Sequence, residues 1–250
     1  MIMIKNKRAI AKMEEAGKRL AHIFQHMGDH VVAGMSTLAV DTWIEDQLKK
    51  AQLLSETKGY HGYRHASCIS INDELVHGVP SEKKMIKIGD TVKIDVCASW
   101  QGYCADMARQ FFIGTVSVQQ KNIASVTEKA LEVGIKKACS GSHLSDISAV
   151  IQCEIESGGF AVVRDFAGHG IGKNMHEDPE ILNYGSPGKG PILRPGMTFA
   201  IEPMVAIDSY KVYVADDGWT VRTVNGSYTG HVEDTILITD NGPKVLTRLS

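Results

Sequence analysis

The sequence predicts a mixed α/β (α+β) fold of two related halves, in which antiparallel sheet is covered by helices. The first observation is an internal repeat. Gly89–Asp95 and Gly196–Glu202 share the pattern G-x-T-x-x-I-(D/E) at an offset of 107 residues. The same offset separates Gly34 from Gly141, each at the entry to a helical stretch. A shared offset in distant segments indicates duplication, so we expect a single domain over 1–250 with halves of roughly 1–115 and 116–250.

The second observation is the order of elements, because helices precede strands in each half. Apolar positions at helical spacing, capping residues and short β-rich runs define these elements. Helices followed by hairpins favour sheets packed under helices. The predicted helices cover about 6–28, a second stretch for which Thr37 is the predicted N-cap, the region near 119–138, and 145–158. The predicted strands cover 68–72 and 160–164.

Composition limits the classes of function. The 250 residues are 43% hydrophobic, enough for a large core. The formal net charge of −2 lacks the excess of positive charge that is typical of nucleic-acid-binding proteins. No apolar stretch is long enough to span a membrane, and Met1–Arg8 turns basic before a signal-peptide core can form. The five cysteines lack C-x-x-C spacing, which argues against disulfides and structural zinc. We therefore expect a cytoplasmic protein with reduced thiols.

A first pair of acids lies in two β-rich runs joined by residues 99–102, which predicts a hairpin. A turn centred between residues 100 and 101 would place Asp95 opposite Asp106 and Cys97 opposite Cys104. Facing carboxylates repel each other unless one keeps a proton or a cation lies between them. The facing thiols either fill space beside the acids or form an oxidisable pair.

A second pair, Glu202 and Glu233, follows in the second half. These acids are 31 residues apart, whereas Asp95 and Asp106 are 11 apart, so 20 extra residues form an excursion that contains Trp219. With His169, the four acids make five side chains suited to one buried two-metal site.

Seven motifs occur in order along nearly the whole chain, and together they resemble type I methionine aminopeptidase in its short bacterial form, a group within peptidase family M24. The resemblance implies the two-halved pita-bread fold, in one catalytic domain. One local departure is Leu75-Val-His, where the bacterial group usually has Val-Cys-His, and it alters no ligand. The motifs are Leu75–Pro80, Ile94-Asp95, Tyr103–Asp106, Gly168–Gly172, Met175–Glu177, Ala200–Pro203 and His231–Thr235.

The resemblance also implies a ligand arrangement. Asp95 would bind one metal ion, His169 and Glu202 would bind the other, and Asp106 and Glu233 would bridge the two. Four carboxylates and one imidazole favour Mn, Fe or Co over a thiolate-rich zinc site. We expect two divalent ions drawn from Co, Mn, Fe or Zn, and the sequence does not fix which.

The activity implied by the resemblance is removal of the initiator methionine from nascent proteins whose second residue is small. A water molecule activated by the metals would attack the first peptide bond. Glu202 would take its proton and return it to the leaving amine. His77 would contact the substrate near the leaving nitrogen, and His176 would donate to the carbonyl oxygen.

A pocket for the methionine side chain is implied as well. Glycines in Gly168–Gly172 are expected to let the backbone turn tightly beside the substrate. Six other histidines, at positions 22, 26, 30, 61, 65 and 143, are expected at the surface. For the two tyrosines and the tryptophan among the pocket residues, ordinary packing is the alternative interpretation. The pocket residues are Tyr60, Tyr63, Cys68, Met175 and Trp219.

Two alternatives stay open at this point. One is an X-Pro aminopeptidase or prolidase, although those usually carry a further N-terminal domain for which 250 residues leave no room. The other is a catalytically inactive peptide- or RNA-binding relative. For the leading interpretation the partners are N-termini of nascent chains at the ribosome, with no membrane or nucleic-acid partner, and we expect a monomer.

Overall fold

A computed structural model describes residues 2–249. Four helices are present in this range: α1 Lys7–Met27, α2 Thr37–Lys50, α3 Val118–Lys137 and α4 Leu144–Ser157. A short 3-10 turn covers Tyr60–Gly62. The strands are β1 Leu54–Ser55, β2 Cys68–Ile71, β3 Thr91–Trp100, β4 Tyr103–Phe112, β5 Ala161–Val162, β6 Gly168–Gly170, β7 Glu177–Ile181, β8 Thr198–Ile201, β9 Met204–Ala206, β10 Val212–Val214, β11 Val221–Thr223, β12 Thr229–His231, β13 Glu233–Thr239 and β14 Gly242–Val245.

One antiparallel sheet of nine strands joins the two halves. Its main path runs β1-β3-β4-β13-β8-β6-β7, with β2 paired to β3 and β14 paired to β13. Two small sheets, β10-β11 and β12-β9-β5, stand beside it. Helices α1 and α2 pack on β2, β3 and β4 in one apolar core, and α3 and α4 pack on β8 and β13 in another. The predicted fold class is therefore confirmed.

The repeat found in the sequence also relates elements of the structure. Helix α2 begins at Thr37 and α4 at Leu144, and strands β3 and β8 begin at Thr91 and Thr198, so both pairs keep the offset of 107 residues. The N-cap of α2 is Ser36, whose side chain accepts from the Ala39 amide, rather than Thr37 as predicted. Thr37 is instead the first helical residue, and its hydroxyl oxygen accepts a hydrogen bond from the Ser81 amide.

The β3-β4 hairpin forms as predicted, but the predicted register is wrong by two residues. Asp95 faces Ala108, rather than Asp106. The turn consists of Gln101 and Gly102, both with positive φ (50° and 75°), as a two-residue hairpin turn requires. Its centre therefore lies one residue later than predicted.

The shift of two residues also changes the pairing of the cysteines. Cys97 faces Asp106 and Cys104 faces Ser99, so the predicted directly facing pair of thiols is wrong, although the two thiols still interact as diagonal neighbours. A two-residue shift keeps every side chain on its original face of the sheet, because side chains alternate with a period of two. Asp95 and Asp106 consequently remain diagonal neighbours on one face, and both thiols stay on that face.

Candidate metal and active site

One cavity, with a volume of about 170 Å³, brings all twelve sequence-predicted site residues together. It opens between the large sheet and the loops that follow β1, β2, β6 and the excursion after Glu202. The predicted residues that line it are Tyr60, Tyr63, Cys68, His77, Asp95, Asp106, His169, Met175, His176, Glu202, Trp219 and Glu233.

The five ligand-type side chains come from five neighbouring strands. Asp95 is on β3, Asp106 on β4, Glu233 at the start of β13, Glu202 directly after β8, and His169 in the middle of β6. Each strand of the sequence β3-β4-β13-β8-β6 thus supplies one group to the same patch of sheet. Residues nearly 140 positions apart in the chain meet here because the central strands of the two halves are adjacent.

A small residue makes room at the centre of this patch. Ala108 on β4 faces Asp95 on one side and Glu233 on the other. Because Ala108 is small, the two acids can converge above it, next to Asp106 on the same strand face. The acids therefore surround a space instead of packing against a bulky side chain.

The crowded, buried carboxylates have perturbed acidities. Burial first, and then the charge of Glu202, raises the pKa of Asp106 to about 7, and burial raises the pKa of Glu202 to about 8. Burial and the charge of Asp106 raise the pKa values of Asp95 and Glu233 well above those of ordinary carboxyls. A cation held among these groups would stabilise their ionised forms.

The donor atoms fit a divalent cation. Glu233 Oε1 is buried and has no hydrogen-bond partner among residues 2–249. Ligand atoms of Asp106, His169 and Glu233 lie within 4.8 Å of one another, as do those of Glu202, His231 and Glu233. A buried carboxylate oxygen without a hydrogen-bond partner, surrounded by other ligand-type atoms, is free to coordinate a metal ion.

His169 has the orientation of a metal ligand. Its Nδ1 is 3.0 Å from the carbonyl oxygen of Gly170, so Nδ1 donates and Nε2 keeps its lone pair. Nε2 lies 3.5 Å from Glu202 Oε1 and 4.0 Å from Asp106 Oδ2. Burial lowers the pKa of His169 to about 3, which leaves the imidazole neutral.

His176 lies beside His169 and is held by a residue of the first half. Its ring centroid is 4.3 Å from that of His169, and its Nδ1 is 2.8 Å from the Tyr60 hydroxyl. Burial lowers the pKa of His176. A neutral imidazole that accepts the Tyr60 O–H at Nδ1 carries its own proton at Nε2.

His77 lies at the other side of the cavity in an unusual backbone conformation. Its φ is +57°, in the left-handed region that non-glycine residues rarely adopt. The next residue, Gly78, passes so close to β2 that a Cβ would lie 2.2 Å from the Ile69 carbonyl oxygen. The ring of His77 packs edge-on against Phe166 at 5.6 Å. Such strain, held by tight packing, is typical of functional sites.

An apolar wall closes the cavity opposite the acids. Tyr63 and Trp219 pack edge-to-face with ring centroids 5.0 Å apart, although they come from different halves. The Tyr63 hydroxyl is 3.1 Å from the Ser67 carbonyl oxygen, to which it donates. Cys68 and Met175, both buried, complete the surface between this wall and the group of acids.

Two of the glycines of Gly168–Gly172 have a different role from the one predicted. Gly168 and Gly170 lie within strand β6 and do not form a turn, whereas Gly172 lies in the bend that follows this strand. Instead, a Cβ on Gly170 would lie 2.0 Å from the Asp178 carbonyl oxygen, and one on Gly168 would lie 2.5 Å from that of Ala200. These glycines allow β6 to fit between β7 and β8, which places His169.

Several residues of the site were not predicted from the sequence. His231 is the most important: it does not line the cavity, but its Nε2 is 3.3 Å from Glu202 Oε2. It belongs to the motif His231–Thr235, from which only Glu233 was predicted as a site residue, and nothing in the sequence marks the corner that joins His231 to Glu202. The lining residues that were not predicted are Thr57, Phe166, Ala167 and Met204.

Two of the six histidines expected at the surface, His65 and His143, are half-buried. His65 is half-buried, with Nδ1 3.1 Å from an oxygen of buried Asp41. The other Asp41 oxygen accepts hydrogen bonds from the amides of Ala66 and Ser67. His65 therefore helps to fix the segment that leads to Cys68. His143 is half-buried at the start of α4, and His22, His26, His30 and His61 are exposed.

The sequence profile of metallopeptidase family M24 matches residues 11–240. The chain therefore belongs to the M24 metallopeptidases, a family that uses divalent metal ions. It is 44% identical over 247 residues to a methionine aminopeptidase of Clostridium acetobutylicum, covering 99% of each chain. A solved methionine aminopeptidase of Thermotoga maritima superposes with a TM-score of 0.98 at 44% identity over both full lengths. A prolidase of Pyrococcus horikoshii gives a TM-score of 0.78 at 25% identity, with only 65% of that chain covered.

Proposed function

We infer that this chain is a metal-dependent aminopeptidase that removes the initiator methionine from nascent proteins with a small second residue. The observation that carries the inference is the convergence of five ligand-type side chains from five neighbouring strands at the base of one cavity. An apolar wall that suits a thioether side chain faces that cluster. The relatives of matching length and high identity are methionine aminopeptidases.

We propose that two divalent ions are held by this cluster. Asp95 would bind one ion, His169 and Glu202 the other, and Asp106 and Glu233 both. When bound, such ions activate water and polarise the scissile carbonyl. The oxygen-rich ligand set suits Mn, Fe or Co, and Zn is a further candidate. The orphaned Oε1 of Glu233 supports this assignment.

The side chains around the cluster then divide the proton transfers. Glu202 accepts a proton from the attacking water and passes it to the leaving nitrogen. The Tyr60 hydroxyl donates a hydrogen bond to His176 Nδ1. The proton of His176 is then on Nε2, from which it can donate a hydrogen bond to the substrate carbonyl oxygen. His77 contacts the substrate near the leaving nitrogen, and burial, which lowers the pKa of His77 to about 4, keeps it neutral.

The remaining pocket residues bind the methionine side chain. Tyr63 and Trp219 form one wall, and Cys68 and Met175 form the surface nearer to the metal ligands. Thioether sulfur packs favourably against aromatic ring edges. Selection of a methionine at the first position follows from this wall, and the space beyond the cluster sets the size of the second residue.

We further propose that the chain is one catalytic domain built of two related halves, roughly 1–115 and 116–250. It would work in the cytoplasm as a monomer, on chains emerging from the ribosome. Within residues 2–249, no helix has the length and apolarity needed to cross a membrane.

A peptide panel with metal titration tests the proposal. Chelator-treated protein is supplied with Mn²⁺ or Co²⁺ and offered Met-Ala-Ser, Met-Lys-Ser and Ala-Pro-Ser. We expect release of methionine from Met-Ala-Ser alone, and none from the Asp106→Asn control. Cleavage of Ala-Pro-Ser would instead identify an X-Pro aminopeptidase. A protein that binds metal but cleaves none of the three would be a binding relative.

A further inference from the structure

A corner between two sheets brings a second imidazole to Glu202. The chain leaves the large sheet after β8, passes through Glu202 and Pro203, and enters the small sheet as β9. It returns from β12 to β13 through Val232. His231, the last residue of β12, pairs with Met204, the first residue of β9. The corner therefore places His231 directly beside Glu202 and two residues before Glu233.

The two imidazoles contact different oxygens of one carboxylate. His231 is 2% exposed, and its Nε2 is 3.3 Å from Glu202 Oε2 in hydrogen-bonding geometry. His169 Nε2 lies farther away, 3.5 Å from Oε1 of the same residue. The lone pair of His169 Nε2 is free for a metal because Nδ1 is the donor to Gly170. The carboxylate of Glu202 thus has an imidazole nitrogen beside each of its two oxygens.

The first half has a cysteine where the second half has this imidazole. The residue two positions before Asp106, the counterpart of Glu233, is Cys104, whose Sγ donates to the Lys173 carbonyl oxygen at 3.5 Å. His231 is also close enough to Asp95 for their charges to interact, but its hydrogen-bonding distance is to Glu202.

We propose that His231 is a positioning residue for the metal ligand Glu202. Its Nε2–H donates to Oε2, which fixes the carboxylate rotamer and presents Oε1 to the metal held with His169. Donors that orient a ligating carboxylate contribute to metal affinity and activity although they do not touch the metal. The inference rests on the proposed assignment of Glu202 as a ligand.

The test compares variants of His231 by metal binding as well as activity. His231→Leu removes the donor and keeps an apolar side chain of comparable bulk, whereas His231→Gln retains an N–H donor. Calorimetric titration of chelator-treated protein with Mn²⁺ gives the affinity, and hydrolysis of Met-Ala-Ser gives kcat and KM. We expect His231→Leu to weaken Mn²⁺ binding and lower kcat by about 10- to 100-fold, with little change in KM. His231→Gln should recover most of both losses.

His22→Leu, on the exposed face of α1, is the matched control and should leave both quantities unchanged. If His231→Leu does not fold, His231→Ala replaces it as the donor-free variant. Wild-type Mn²⁺ affinity and kcat in a folded donor-free variant would overturn the proposal. Equal losses of Mn²⁺ affinity and kcat in His231→Gln and the donor-free variant would also overturn it. Such a result would mean that the imidazole itself is required, as it is for a metal ligand, and not only an N–H donor. The Mn²⁺ titration needs no substrate, so it remains decisive even if the wild-type protein cleaves no methionyl peptide.

Discussion

The two halves bring their acids to the proposed metal site by different routes. In the first half, Asp95 and Asp106 lie within one unbroken hairpin of two ten-residue strands. In the second half, Glu202 and Glu233 lie where the strands leave the large sheet. The first hairpin closes in two residues at Gln101-Gly102, whereas the second extends through a small sheet and a further hairpin before it returns.

The difference also appears in the register. The pairs Ile201–Asp234 and Met204–His231 belong to one register across the corner, which puts Glu202 at the position opposite Glu233. In the first half, Asp95 is displaced by two residues from its partner acid. The second half therefore has the facing arrangement that the sequence analysis expected of the first. The long excursion also supplies Trp219 and His231, whereas the turn of the first-half hairpin, at Gln101-Gly102, contributes nothing to the cavity lining. The first half supplies its aromatic lining residues, Tyr60 and Tyr63, from the segment before β2 instead.

Removal of one acid from either half should have the largest effect. Asp106→Asn and Glu233→Gln each remove a charge and a coordinating oxygen from a proposed bridging position. We expect metal content to fall and kcat/KM to decrease by at least about 10³-fold, equivalent to about 4 kcal/mol of transition-state stabilisation. Elemental analysis of folded protein and hydrolysis of Met-Ala-Ser provide the measurements.

Substitution of Asp95 or Glu202, the acids proposed to bind one ion each, tests the comparison between the halves further. Asp95→Asn should lose metal and activity together, and Glu202→Gln should fail through the lost proton acceptor as well as weaker binding. Full metal content and activity in Asp95→Asn would mean that the first half contributes only Asp106, and the two halves would then be less alike than the repeat indicates.

Loss of either non-ligand histidine should have the next largest effect. His77→Ala, in the first half, and His176→Ala, in the second, should retain metal and lose about 10²-fold in kcat. Tyr60→Phe should follow His176→Ala with a smaller loss, because the imidazole remains but its tautomer is no longer fixed. Metal loss in either histidine variant would show that ligands and non-ligands had been assigned to the wrong groups.

The crowding of acids from both halves predicts a pH dependence of stability in the metal-free protein. The pKa of Asp106 rises from 3.8 to about 7 on folding, and that of Glu202 from 4.5 to about 8. The folded state holds these protons more tightly than the unfolded chain. The stabilisation that the two protonated groups contribute is therefore fully present below about pH 4 and is lost as pH rises through 7 to 8.

We expect the Tm of chelator-treated protein to fall by more than about 4 °C between pH 5.5 and 8.5, a shift that corresponds to about 1 kcal/mol in a protein of this size. Mn²⁺ should remove most of the decrease, since a cation favours the ionised carboxylates. Asp106→Asn should show a shallower decrease without metal. A Tm that is constant or rises over this interval would contradict the prediction.

The smallest effect is expected at the tip of the second-half excursion. Trp219→Ala removes the edge-to-face contact with Tyr63 and opens the apolar wall. An aromatic pair contributes about 0.5–1.5 kcal/mol, so kcat/KM for Met-Ala-Ser should fall by about 2- to 10-fold, mainly through KM. Tyr213→Ala, on the adjacent strand β10 and 49% exposed, is the control. An equal loss in both variants would assign the effect to the hairpin as a whole.

Features of the fold and of the site could be predicted from the sequence where they depend on local structure, and not where they depend on contacts between distant segments. Side-chain face follows from alternation alone, so Asp95 and Asp106 were placed on one face although the register was wrong. The register itself depended on which two residues adopt positive φ, and Gln101 gives little signal of that. His231 could not be assigned, because its proximity to Glu202 depends on two strands changing sheets at the same corner. The glycines around His169 were misinterpreted for a similar reason: their requirement comes from neighbouring strands.

The central position of β13 has a consequence for the order in which the protein matures. This strand lies between β4 and β8, carries Glu233, and follows both of these neighbours in the chain. Until it inserts, the first-half hairpin and β8 have no shared neighbour in the sheet. We therefore expect the proposed metal site to form only after β13 has paired with β4 and β8, a long-range pairing of the kind that is slow in folding. A newly made molecule would remain inactive until β13 has been released and inserted.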